Sequence, residues 1–149
     1  MKIAIGSDHA GFELKQYLFI ELNNLGYEMI NCGTESEASV DYPDIAYKVC
    51  DLVISREAKY GIVICGTGIG VSMAANKIRG IRAALCHTEF SARMARQHND
   101  ANVLALGGRV FGKGLALYIA KAFLAEEFSG EDRHKKRIND MMKFEDLGS

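Results

Sequence analysis

Four short stretches of this chain carry residues whose types and spacing could do chemistry. In "ICGTGIG", Ile64 to Gly70, an apolar run ends in Cys65, and three glycines alternate through the next residues before a small-residue segment. Glycines let backbone N–H groups converge, and a helix beginning behind them adds partial positive charge, so the loop suits an anion and favours a thiolate at Cys65. A nucleotide is a poor candidate. The spacing is G-x-G-x-G rather than G-x-G-x-x-G, no acidic residue is placed to hold a ribose, and the Lys-Ser or Lys-Thr ending of a P-loop is missing. A tyrosine-phosphatase loop needs an arginine six residues after its cysteine, where this chain has Val71. A glycine turn that only packs a helix close to a strand is the plain alternative.

The other three stretches are ambiguous taken singly. "SDH", Ser7 to His9, sets a carboxylate beside an imidazole, but an Asp before a helix is also a common cap. "RQHNDAN", Arg96 to Asn102, presents His98 and Asn99, though a His at a helix end also complements the helix dipole. "DRHKKR" spaces Arg133 and Arg137 four apart on one helix face with His134 beside them, which suits a phosphate dianion or a solvated basic face. Metal ligation finds no second His or carboxylate cluster at ligand spacing, so no metal is expected.

The elements that must position these residues alternate. Apolar runs at 2–6, 27–31, 60–65, 81–85 and 102–106 suit strands buried on both faces. Leu14, Tyr17, Leu18, Leu22 and Leu25 fall at helical spacing before Gly26, and further helices are expected near 43–58, 70–78, 89–98, 112–127 and 131–144. This βα alternation predicts an α/β, Rossmann-like three-layer sandwich with a five-stranded parallel sheet and an extra C-terminal helix. In such sheets ligands bind outside the carboxyl ends of the strands, where Ser7 to His9, Gly33 and Thr34, Cys65 and its loop, His87, and Gly107 to Arg109 should gather. The helix ending at His98 runs back toward the amino edge. His98 should therefore lie far from Cys65 of its own chain, and a second subunit would have to supply it.

Composition narrows the partner. A net charge of −1 with scattered charges leaves no basic footprint for nucleic acid and no polybasic membrane anchor, so a small molecule is expected. The start "MKIAIGSDHAG" breaks too early for a signal peptide or a spanning helix, and four cysteines without a C-x-x-C pair suggest free thiols in the cytoplasm.

Taken together, "KIAIGSDHAGFELK", "NCGT", "DYPDIA", "ICGTGIGVSMAANK", "GIRAAL", "ARQHNDANVLALGGRV" and "GEDRHKKR" resemble the type B ribose-5-phosphate isomerases of the ribose/galactose isomerase family, over nearly the whole chain. The resemblance implies one sugar-phosphate isomerase domain over 1–149, whose C-terminal helix reaches a subunit interface. It implies a cofactor-free aldose–ketose isomerase of the pentose phosphate pathway, a homodimer or homotetramer with shared active sites. Cys65 matches the base at C2, and Asp8 and His9 match sugar-binding and ring-opening positions. Thr67 and the amides of Gly66, Gly68, Ile69 and Gly70 match the enediolate cradle, and His98 matches the ring-opening acid. Asn99, Arg109, Arg133 and Arg137 match positions that hold the sugar and its phosphate. One branch of the family carries a carboxylate base where this chain has Val71, so the resemblance is to the cysteine-base branch. Relatives acting on galactose 6-phosphate divide these motifs between two subunits, whereas here they share one chain. Allose 6-phosphate or galactose 6-phosphate as substrate, a thiol hydrolase and a non-catalytic sugar-phosphate sensor are the competing readings.

Overall fold

The computed structural model describes residues 1–148. In chain order the elements are β1 (Lys2–Ser7), α1 (Phe12–Asn24), β2 (Glu28–Asn31), α2 (Tyr42–Ile54), β3 (Tyr60–Cys65), α3 (Ile69–Asn76), β4 (Ala83–Leu85), α4 (Glu89–Asn99), β5 (Val103–Gly107), α5 (Lys113–Ala125) and α6 (Asp132–Met142). Short 3-10 turns cover His9–Gly11 and Lys143–Asp146. All five strands are parallel, in the order β2-β1-β3-β5-β4. The expected three-layer α/β architecture is the one observed.

The layers follow from what alternates along the strands. Ile3, Ile5, Ile62, Ile64, Leu104 and Leu106 face one side, where Leu14, Leu18, Leu22, Ala95, Ile119 and Phe123 of α1, α4 and α5 meet them. Ala4, Val63, Cys65, Val103 and Ala105 face the other, against Val49, Cys50, Val53, Val71 and Ala75 of α2 and α3. Bulky side chains thus line one face of the sheet and small ones the other. Cys65 belongs to the small side, so α2 and α3 frame it.

Local signals set the helix ends. Thr88 and Ser91 form a reciprocal capping box that starts α4, and Pro43 occupies the first turn of α2. The expected helix 43–58 is shorter, because the chain turns at Arg56 with φ 65° and buries Ala58 before β3. The expected helix 131–144 likewise gives way at Lys143 to the 3-10 turn. β4 keeps only three residues of the expected 81–85, since Arg82 instead bonds the turn before β5.

Candidate active site

At the carboxyl edge, β1 and β3 lie side by side, with Ser7 opposite Ile64, and Cys65 lies opposite Gly107 of β5. The chain leaves β1 for β2 on one side and β3 on the other, so this is where the strand order reverses. Three loops are laced together there by backbone bonds. Asp8 N donates to Ile64 O at 3.1 Å, Gly108 N to Cys65 O at 2.8 Å, and Arg109 N to Gly66 O at 2.9 Å.

The glycine loop is built around the Cys65 sulfur. Gly68 N donates to Cys65 Sγ at 3.2 Å, at the point where α3 begins. Gly68 holds φ +80°, and a Cβ there would sit 2.6 Å from Leu85 Cδ1 and 2.8 Å from the Leu106 carbonyl carbon, so both conformation and space require glycine. Thr67 is exposed, and its Oγ1 accepts from Ile69 N at 3.2 Å. A Cβ on Gly66 would lie 3.5 Å from Arg109 Cδ, which places the arginine stem beside the loop. Among the other three thiols, burial pushes Cys50 up to about 12 and raises Cys32 and Cys86 as well.

Asp8 and His9 complete this rim. Asp8 Oδ1 accepts from Ala10 N at 3.0 Å and Gly11 N at 3.2 Å, so the capping role is real and fixes the carboxylate beside β3. Val40 N donates to His9 Nδ1 at 3.3 Å, which holds the ring against the loop after β2. The loop carrying Val40 is anchored from below by Lys15, a fully buried lysine whose amine donates to Asn31 Oδ1 at 3.0 Å and to Thr34 O. Burial lowers the Lys15 ammonium from its usual range, with Glu35 and Cys32 opposing.

The remaining candidates lie at the opposite edge. Asn99 ends α4, and its carbonyl accepts from Arg82 Nε at 3.0 Å, immediately before β4 starts. β5 separates that edge from the Cys65 edge by four residue steps, roughly 13 Å at strand rise. His98 stacks on His134 of α6, with ring centroids 4.4 Å apart, and Arg133 and Arg137 are exposed on the same helix. The fold therefore gathers Asp8, His9, Cys65 to Gly70 and Arg109 at the carboxyl edge. It gathers His98, Asn99, Arg133 and Arg137 at the opposite one.

Residues 3–141 match the model of the Ribose/Galactose Isomerase family. The chain belongs to that family. It is 48% identical over 147 residues to a putative sugar phosphate isomerase, YwlF, of Bacillus subtilis, covering 98% of each chain. It is also 48% identical over 137 residues to ribose-5-phosphate isomerase B of Escherichia coli, covering 92% of this chain and 91% of the relative. Among solved structures, ribose-5-phosphate isomerase B of Clostridium thermocellum superposes with a TM-score of 0.97 at 52% identity, covering 100% of both chains.

Directly after the loop, Val71 is fully buried against the small face of the sheet. No group of three or more His, Cys, Asp or Glu suited to a metal ion occurs among the described residues, and none of their helices is long and apolar enough to cross a membrane. Tyr42 was not among the residues expected at the rim. Its ring lies against Gly70, where a Cβ would come within 2.7 Å of Tyr42 Cε1. The signal was present, since Tyr42 opens the helix that follows β2 and so belongs to the carboxyl edge. It reads in sequence as an ordinary helix start.

Proposed function

We propose that this chain is a ribose-5-phosphate isomerase that interconverts ribose 5-phosphate and ribulose 5-phosphate through an enediolate, with Cys65 as the base. The observation that carries the assignment of the base is the Gly68 N–H aimed at Cys65 Sγ from the start of α3, at the edge where the strand order reverses. The similarity to ribose-5-phosphate isomerases B supports the substrate.

The steps follow from the two half-sites. His98 of a second copy protonates the furanose ring oxygen while Asp8 accepts the C1 hydroxyl proton; the C1–O bond of the ring breaks and the aldehyde opens. The Cys65 thiolate then removes the C2 proton. The released pair forms the C1–C2 double bond, and the carbonyl pair moves onto O1. That oxyanion meets amides of the loop from Gly66 to Gly70, where the Gly68 and Ile69 N–H groups are held by Cys65 Sγ and Thr67 Oγ1 before substrate arrives; losing one such donor costs about 3 kcal/mol of barrier. Thr67 passes the O2 proton to O1, the C2 carbonyl forms, and the Cys65 thiol returns its proton to C1. His9 and Asn99 hold the sugar hydroxyls. Arg109, Arg133 and Arg137 hold the phosphate.

Because the half-sites lie on opposite edges, the working unit is a homodimer or a pair within a homotetramer. The chain acts as one catalytic domain, with α6 reaching the neighbouring copy. A reducing cytoplasm suits four free cysteines.

One assay tests the reading. Incubation with ribose 5-phosphate in heavy water should yield ribulose 5-phosphate carrying deuterium at C1, and Cys65→Ala should lower kcat by at least about a thousandfold, in the range of losing a general base. Failure of the unaltered protein to turn over ribose 5-phosphate refutes the function. Near-normal turnover by Cys65→Ala moves the base elsewhere.

A further inference from the structure

Beneath His98 lies a residue that the steps above do not use. His134 is 5% exposed, and its ring is nearly parallel to that of His98, at 13°. Its Nε2 is one of two buried side-chain nitrogen or oxygen atoms without a hydrogen-bond partner among the described residues. Such atoms are rare in folded proteins, and each asks for a reason. An aliphatic side chain would fill the space under α4 without leaving an orphaned nitrogen. It would not offer a flat face.

We propose that His134 is a positioning residue for His98: its buried ring is the platform that fixes the tilt of the His98 imidazole, so that the same edge of His98 always meets the sugar. This rests on His98 acting as the ring-opening acid. The geometry around the pair supports the role. The segment leading into α6 is tied to α4, since Ser129 N donates to Gln97 O at 3.1 Å, and the His134 amide closes the first turn of α6 on Glu131 O at 3.0 Å. The α4 end is pinned in turn, since Arg96 Nη1 donates to Asp100 Oδ1 and to Ala101 O, both at 2.7 Å. With both backbones fixed, ring on ring leaves His98 little freedom about its side-chain torsions.

The same arrangement disfavours a second proton on His134. A second ring proton on His134 would find no acceptor at Nε2 and would face His98 across the stack, with the Arg133 and Arg137 guanidiniums on its own helix and only Glu131 to oppose them. Burial, the facing His98 ring and the two guanidiniums lower its proton affinity, with Glu131 opposing.

Two substitutions separate a platform from mere filling. His134→Phe keeps a flat ring without nitrogens, and His134→Ala removes it. Expected are a loss of roughly ten- to a hundredfold in kcat for His134→Ala with KM little changed, and recovery of most of that loss in His134→Phe. Histidine-labelled protein supplies a readout independent of turnover, because the chain has 4 histidines and their ring signals are few enough to assign. The His98 ring signals should keep the upfield shift of a stacked ring in His134→Phe and lose it in His134→Ala, and in the unaltered protein His134 should titrate below the ordinary histidine range. Equal kcat in His134→Ala and the unaltered protein overturns the proposal, as does a His134→Phe variant no better than His134→Ala. If the unaltered protein shows no isomerisation at all, the functional reading has failed, and the ring signals still report whether His134 holds His98.

Discussion

At the scale of single residues, the division of labour between sulfur and guanidinium is what the assigned function turns on. Cys65 sits on the small-residue face of the sheet, where its sulfur reaches the Gly68 amide, while Arg133 and Arg137 project from a helix at the far edge. In the proposed site the base and two of the three phosphate arginines therefore belong to different parts of the molecule and should fail separately. Arg137→Ala should raise KM for ribose 5-phosphate at least about tenfold, the worth of one charge-assisted contact, with a much smaller effect on unphosphorylated ribose. Steady-state kinetics on the two sugars measure this directly; equal losses on both would mean that the arginine supports the fold and not the phosphate. Asp8 shows how a bland reading and a functional one can both hold. Its Oδ1 caps the 3-10 turn, and that commitment is what sets the carboxylate next to β3.

At the scale of elements, the junction between β3 and α3 is the most constrained part of the chain. Gly68→Ala would need a left-handed backbone at a β-carbon and would drive that carbon into the backbone of β5. It should cost at least about 2 kcal/mol of stability and abolish turnover, readable from the urea midpoint and the residual rate. The need for glycine there was legible from "GTGIG", as were the five strands, because apolar runs buried on both faces leave little choice of element. Other features were not. The end of α2 at Ile54 escaped because Ser55 and Arg56 turn the chain without a glycine or proline to mark the place. The order β2-β1-β3-β5-β4 depends on where each crossover lands, which no single strand encodes. "DRHKKR" reads as a solvated basic face, yet its His134 is buried, since the burial is set by α4 and not by neighbours in sequence. Tyr42 was hidden in the same way by looking like a helix start.

At the scale of the whole molecule, the proposed site falls into two parts separated by about 13 Å along β5, which would meet only between copies of the chain. In a twofold pairing each site would draw Cys65 from one copy and His98 from the other, so a chain lesioned at either residue spoils one half-site and leaves the other sound. Mixing Cys65→Ala and His98→Ala chains, each inactive alone, should restore about a quarter of the unaltered activity after random re-pairing, because half the pairs are mixed and each mixed pair keeps one intact site of two. No recovery after re-pairing shown by mass would place His98 outside the catalytic unit. The cross-bonding of the loops at the carboxyl edge has a different consequence, one that concerns time. The amides of Asp8, Gly108 and Arg109 lie beyond the strands, yet each is bonded to a carbonyl of β3 or of the residue following it. In deuterium exchange they should exchange as slowly as core strand amides, released only when the sheet itself opens. The half-site around Cys65 would then have no unfolding event of its own: on heating it would persist as long as the sheet does and disappear in the same step.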